Sequence, residues 1–259
     1  MPEQINAVKH IKTMNGGGSK SQLVVGSDDR KYVIKLINNP QKTRILANEY
    51  VVGRLAEILG VPIPDVRIIN VDQELVNAVN KLANHTFQAG PAFGSLYVGG
   101  DRVKVVPSSL DEMRRTSNIG RWPNAIVLDG LVQNEDIKPE HVLIEKNLYN
   151  GESKFWHIDH GHCLGVDRGW NTLNISNASP KSLLYPEIIS GANPFREAFQ
   201  RLQEITPQVV DGILVDIPHE KWDVPASDFD ALKRYLEAAK SQVPNAIIAA
   251  KGRFVGWSP

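Results

Sequence analysis

Five short segments in a fixed order constrain this chain more than any other feature. Three glycines, Gly16-Gly17-Gly18, lead into Ser19-Lys20-Ser21 between two strand-like runs. A strand lysine follows in Tyr32-Val33-Ile34-Lys35-Leu36, and a helix-borne glutamate in Asn48-Glu49-Tyr50. Far downstream come Asn134-Glu135-Asp136-Ile137-Lys138-Pro139-Glu140-His141 and then Ile158-Asp159-His160-Gly161. The fold must deliver a turn, a strand, a helix and two later loops to one place. Phosphoryl transfer from ATP needs such a set: a phosphate cradle, a cation held by an acid, a base and a metal-binding acid.

The elements between these segments can be read from hydrophobic period and punctuation. Residues 5–13 and 22–26 flank the Gly/Ser turn and predict a hairpin. Tyr32 to Ile37 is rich in aromatic and β-branched residues and predicts a strand. From Lys42 to Leu59, the apolar residues Ile45, Leu46, Val51, Val52, Leu55, Ile58 and Leu59 recur at helical spacing. Gly60 marks its end, and Pro62 and Pro64 forbid continuation. Val66 to Val71 reads as a strand, residues 73–92 as mixed, and Ala92 to Val98 as a further strand before Gly99-Gly100. Ser108 to Glu112 reads as a helix start and Trp122 to Gln133 as an apolar helix. Val142 to Glu145 and Phe155 to Ile158 read as two short strands around the turn Tyr149-Asn150-Gly151-Glu152. From Ser182 to Ile248 helical patterns dominate, broken near Pro194, Pro207, Pro218 and Pro225. The expected architecture is α+β: a strand-rich part over 1–99 with one helix and a mainly helical part over 100–259. The two form one unit hinged at Gly99-Gly100, and clefts at such junctions are common ligand sites.

Charge and cysteine content exclude several classes. Lys+Arg and Asp+Glu both number 29, so no basic excess points to nucleic acid or an anionic membrane as partner. The one cysteine, Cys163, rules out an internal disulfide. The N-terminus lacks a secretory signal, and no run approaches the roughly 18 apolar residues that span a bilayer. The expectation is a soluble, cytoplasmic protein.

Each chemical segment also has a bland reading. Glycines between strands let backbone approach a ligand and form an anion nest, or simply make a flexible hairpin. The spacing is not that of a Walker-type loop. Lys35, mid-strand among apolar neighbours, needs a partner if buried, and Glu49 could supply it; otherwise both are surface charges. Asp136, between an apolar helix and a short strand, is placed to enter a cleft, or it is a turn residue. Asn134 could help position it. Asp159 at a strand end suits a Mg²⁺ ligand, with Gly161 allowing a sharp exit, or it is a helix cap. The cluster His157, Asp159, His160 and His162 offers a competing reading as a metal centre of a hydrolase, with His157 and Asp159 on one strand face and His160 pointing away.

Taken together these residues resemble the HipA-like kinases, in particular short stand-alone bacterial HipA-like proteins with a two-lobed, protein-kinase-like fold. The resemblance rests on Tyr32-Val33-Ile34-Lys35, Ala47-Asn48-Glu49-Tyr50, Gly53-Arg54-Leu55-Ala56, Leu59-Gly60-Val61-Pro62, Gly90-Pro91-Ala92-Phe93-Gly94-Ser95, Asn134-Glu135-Asp136, Ile158-Asp159-His160-Gly161 and Ile217-Pro218-His219-Glu220-Lys221-Trp222. It implies an ATP-dependent kinase. Lys35 would bind phosphates and Glu49 would orient it. Asp136 would be the catalytic base and Asp159 a Mg²⁺ ligand. Ser95, Leu96, Tyr97 and Val98 would lie against the adenine, and the loop with Gly17, Gly18 and Ser19 would cover the phosphates. The acceptor would be a serine or threonine on a protein, with Ser19 or Ser21 as sites of self-modification. The region that relatives use to hold an antitoxin is expected to be missing.

Two departures matter. The family has Asp-Arg where Ile137 follows Asp136 here. It has an asparagine metal ligand where His141 stands here. An imidazole suits Mg²⁺ poorly and Mn²⁺ better. The open alternatives are an active kinase using Mg²⁺ or Mn²⁺, a nucleotide-binding pseudokinase acting as an interaction module, and the His/Asp metallohydrolase.

Overall fold

The computed structural model describes residues 4–14, 18–100, 103–166 and 168–258. β1 (Ile5–Thr13) and β2 (Gln22–Gly26) form the expected antiparallel hairpin, and β2 pairs in turn with β3 (Lys31–Ile37). Helix α1 (Ile45–Leu59) follows and stops at Gly60, whose φ of 68° is the left-handed cap that glycine adopts without a Cβ clash. β4 (Val66–Val71), α2 (Gln73–Ala83) and β5 (Gln88–Leu96) complete this part. β5 inserts between β3 and β4, and β1 meets β4 in parallel at Ile5 and Asn6. The order β1-β2-β3-β5-β4 thus closes into a barrel.

Alternation along β3 positions the site. Tyr32, Ile34 and Leu36 point into a small core with Val24, Ile69 and Ala92 and with Val76 and Val79 of α2. Val33, Lys35 and Ile37 therefore point the other way, toward α1. Helix α1 is buried around most of its circumference rather than along one stripe. It packs between the barrel and the later helices, and its apolar residues join the larger core.

Among the described residues, two expectations for the first hundred positions are corrected. There are two helices, not one: Asp72 caps α2 by accepting from Leu75 N–H at 2.8 Å. Val76 and Val79 are its buried residues and Leu75 and Ala83 pack against the same core, an apolar stripe at helical spacing that the mixed reading of 73–92 passed over. β5 begins at Gln88 and ends at Leu96, running through Gly90-Pro91. Pro91 is tolerated because the β3–β5 register is already broken between Lys35 and Ile37.

Beyond the barrel, β6 (Val103–Pro107) is a strand the sequence did not reveal. It joins β7 (Val142–Asn147) and β8 (Ser153–His157) in an antiparallel sheet of order β6-β7-β8. Between β6 and β7 lie α3 (Leu110–Arg114), capped by Ser109, and the wholly buried α4 (Trp122–Leu131). The expected helical character from Ser182 starts only at Arg196. Tyr185 takes a left-handed φ of 53°, and Pro186 and Pro194 break any helix before that point. The pair β9 (Ser190–Gly191) and β10 (Gly256–Trp257) brackets α5 (Arg196–Leu202), α6 (Pro207–Leu214) and α7 (Ala226–Ala249). Among the described residues, no helix is long and apolar enough to cross a membrane.

Candidate active site

The face of β3 that looks at α1 carries Lys35, and α1 carries Glu49 opposite it. Lys35 Nζ donates to Glu49 Oε1 and, at 2.8 Å, to Asp159 Oδ1. Glu49 Oε2 accepts from the backbone N–H of His160 at 3.0 Å, so the glutamate also fixes the chain just after Asp159. Burial alone would lower the Lys35 pKa, but the two carboxylates win and raise it. Burial pushes the Asp159 carboxyl up, and the Lys35 ammonium overrides that, holding it well below the usual range. Burial raises Glu49 against the pull of Lys35. With all three ionised, one negative charge is in excess, and the most exposed carboxylate is Asp159, at 33%. Such a group is suited to a cation.

Asp136 sits on the turn after α4. Its N–H donates to Asn134 Oδ1 at 3.1 Å, and Lys138 Nζ donates to its Oδ2 at 3.0 Å. His141 Nδ1 lies 2.7 Å from the Asp136 carbonyl, an acceptor, so that nitrogen carries the proton. Burial lowers the His141 pKa, partly opposed by Asp159. The neutral ring thus aims its Nε2 lone pair between Asp159 Oδ2 at 3.5 Å and Asp136 Oδ2 at 3.9 Å. Two carboxylate oxygens and one imidazole nitrogen converge, a donor set that fits a divalent cation and favours Mn²⁺ over Mg²⁺ relative to an all-oxygen site.

A cavity opens beside these groups. It is lined by Val33, Val66 and Phe93 of the barrel, by Ser95, Leu96, Tyr97 and Val98, and by Leu143 and Ile158 from the other side. Lys35, Glu49, Asp159, Ser19 and Ser21 complete its wall. Asp136 and His141 stand outside that lining, and His141 reaches it through Asp159. The N–H groups of Leu96 and Tyr97 are engaged with Asp65 O at 2.8 Å and Lys31 O at 2.9 Å. Gly99 lets the chain turn past the Tyr97 ring, since a Cβ there would lie 2.9 Å from it.

The Gly-rich turn is tethered from several sides. Asn39 Nδ2 donates to Ser19 O at 3.0 Å, and Lys20 Nζ donates to Ala83 O at 2.8 Å, at the C-terminal end of α2. The Ser19 and Ser21 hydroxyls are buried and lie 3.0 Å apart. Gly18 abuts the Gln41 side chain rather than the cavity, and Gln41 reaches His162. Gly16 and Gly17 lie outside the described residues.

Strand geometry misplaces the histidines. β8 ends at His157, and Asp159 takes a left-handed φ of 64°, so period-two alternation does not carry from His157 to Asp159. The two side chains go to different partners. His160 does not point away but packs its ring against His157, at 4.6 Å between centroids. Gly161 is needed not for a sharp exit but for close approach: a Cβ there would lie 3.2 Å from Ile45 Cβ.

Sequence reading missed Asp129, a buried acid within apolar α4. Its Oδ1 accepts from Asn134 Nδ2 at 2.8 Å and pairs with His157 Nε2 at 3.0 Å. The signal was there, because a carboxylate inside an otherwise apolar helix demands a partner. Asp129, His157 and His160 lie close enough to share a metal ion. Yet both ring nitrogens of His157 face acceptors, the Asp129 carboxylate and the His141 carbonyl at 3.3 Å. Burial opposes protonation of His157, but Asp129 outweighs it and raises the pKa. A metal ion there would have to displace a proton from one of these hydrogen bonds.

The barrel-and-helix architecture is one that solved kinase structures share. It is similar to the Helicobacter pylori proinflammatory kinase CtkA, with a TM-score of 0.62 and 12% identity over 96% of this chain and 98% of that one. It is also similar to the Golgi casein kinase, with a TM-score of 0.51 and 13% identity over 95% of this chain and 72% of that one. At these identities the likeness is one of fold. No curated protein sequence matches. The profile of the HipA-like kinase family matches residues 7–243, and the chain belongs to that family.

Proposed function

We propose that the cavity binds ATP between the parts 1–99 and 100–259, acting as two lobes, and that the γ-phosphoryl passes to a serine or threonine hydroxyl on a protein. The observation that carries this reading is Lys35 bonded to both Glu49 and Asp159 at the cavity wall. The base would lie between Val33 and Val66 above and Leu143 and Ile158 below, with Ser95–Val98 along its edge. Lys35 meets the α- and β-phosphates, held by Glu49. Asp159 and His141 would hold a divalent cation, Mg²⁺ or Mn²⁺, which would supply positive charge to offset that of the transferring phosphoryl group.

Asp136 accepts the acceptor's hydroxyl proton as that oxygen attacks the γ-phosphorus and the bond to the bridging β–γ oxygen breaks, leaving ADP. Lys138 holds the Asp136 carboxylate and brings a positive charge to the same spot, which offsets the Ile137 departure. Ser19 and Ser21 are candidates for self-modification, although their mutual hydrogen bond and burial mean the turn must move to present either. The balance of Lys+Arg and Asp+Glu favours a protein partner over nucleic acid or a membrane surface.

The test is intact mass after incubation with ATP and Mg²⁺ or Mn²⁺, with a protein carrying serine, threonine and tyrosine as acceptor. Wild type should add phosphate to itself or the acceptor, at serine or threonine. Asp136→Asn should lose at least 10²-fold in rate, the usual contribution of a general base. His141, a nitrogen donor at a cation site, favours a second reading as a pseudokinase. Nucleotide binding with no transfer in either metal would select it.

A further inference from the structure

The chain just after Asp159 follows an unfavourable path. Leu164, Gly165 and Val166 take φ of 52°, 78° and 54° in succession, after Asp159 itself at 64°. Left-handed backbone is strained for L residues, and a β-branched valine there is an outlier that the surroundings must enforce. Asn48 supplies the enforcement. It is fully buried on α1, one position before Glu49. Its Nδ2 lies 3.1 Å from Gly161 O, 2.8 Å from Cys163 O and 3.1 Å from Val166 O. Its Oδ1 accepts from Trp170 Nε1 at 2.9 Å. Trp170 N–H donates to Asp228 Oδ2 at 3.0 Å, and Arg44, from the start of α1, lies over the Trp170 ring and pairs with Asp228. Two adjacent residues of α1 therefore grip one loop, Glu49 at His160 and Asn48 at Gly161, Cys163 and Val166.

We propose that Asn48 is a positioning residue: it holds the segment Gly161–Val166, with its left-handed stretch Leu164–Val166, in place and thereby fixes Asp159 where the metal–nucleotide complex needs it. The assignment deepens the kinase reading and rests on it. Asn48 thereby keeps Asp159 facing Lys35 and His141. Sequence position alone did not single out Asn48, because it sits within an apolar helical stripe.

The test uses the full chain and two independent readouts. Asn48→Asp keeps the shape and the acceptor for Trp170 but turns an oxygen toward three carbonyls. Tryptic cleavage after the exposed Arg168, followed by mass spectrometry, reads release of the loop without any nucleotide. Calorimetric ADP affinity with and without Mn²⁺ reads the placement of Asp159. In Asn48→Asp, cleavage at Arg168 should rise at least tenfold. The gain in ADP affinity from Mn²⁺ should fall at least tenfold, with metal-free affinity within twofold of wild type. Adding Val166→Gly, which relieves the strain, should recover at least threefold of that gain. A folded Asn48→Asp with wild-type cleavage and wild-type Mn²⁺ gain overturns the proposal, as does an equal loss of affinity with and without metal. If Asn48→Asp does not fold, Trp170→Phe, which removes only the donor to Oδ1, should show the same pattern at about threefold, and its absence overturns the proposal. A wild type that binds no ADP with either metal sinks the kinase reading and the link to Asp159 with it, whereas the cleavage arm alone decides whether Asn48 holds the loop.

Discussion

Lys35 is the residue on which the local electrostatics turn. It is buried between Glu49 and Asp159, so removing its charge leaves two carboxylates facing each other with no cation. Breaking a buried ion pair from one side costs about 3–5 kcal/mol. Lys35→Met should therefore lower the midpoint of denaturant unfolding by an amount corresponding to that loss, and nucleotide affinity should fall with it. An unchanged midpoint would mean that Lys35 is not paired in solution. These three residues were legible in the sequence because a lysine inside an apolar strand, a glutamate on the next helix and an acid at a strand end each raise the question of a partner. Asp129 raised the same question from within α4, but no spacing rule linked it to His157, 28 positions away. Lys138 was visible beside Asp136 in sequence. Its role depends on a turn that brings its Nζ back to the carboxylate, which composition does not encode.

At the scale of elements, α1 is the axle of the site, and one glycine sets its distance from the sheet. A Cβ at Gly53 would lie 2.7 Å from Val66 Cγ1 on β4, closer than real Cβ contacts come. Gly53→Ala must push α1 away from the barrel. Overpacking of this kind costs about 1–3 kcal/mol. Chemical unfolding should show a lower midpoint at unchanged slope, and transfer activity should fall more than stability accounts for, because Glu49 and Asn48 move with the helix. Activity that tracks stability alone would show the site to be indifferent to helix position. The length of α1 and its stop at Gly60 were readable from period and punctuation. α2 and β6 were passed over although both carry an apolar pattern: Leu75, Val76, Val79 and Leu82 recur at helical spacing, and Val103, Val105 and Val106 surround Lys104. β5 runs from Gln88 to Leu96 rather than from Ala92 to Val98, and it crosses Gly90-Pro91, which has turn chemistry. The tertiary pairing with β4 overrides it at Asn70 and Val71.

At the scale of the whole molecule, the site draws its parts from the barrel, α1, the loop after α4 and the loop after β8, so ligand binding should stabilise the entire fold. A ligand at about 100 times its dissociation constant adds roughly 2.7 kcal/mol to a protein that binds it only when folded. For a chain of this size that is a rise in melting temperature of about 5–10 °C. Mn²⁺ with ADP should produce that rise in wild type. Asp159→Asn removes one of the two carboxylates paired with Lys35, and a carboxyl held well below its usual range stabilises the fold when ionised, so the ligand-free variant should melt below wild type at neutral pH. Its rise with Mn²⁺ and ADP should shrink to what ADP alone gives. The two halves of this expectation separate structural from ligand-holding roles. A ligand-free variant that melts with wild type would show that the Lys35–Asp159 pair adds nothing to stability. A variant that keeps the full Mn²⁺-dependent rise would move the cation away from Asp159, leaving His141 and Asp136 to hold it.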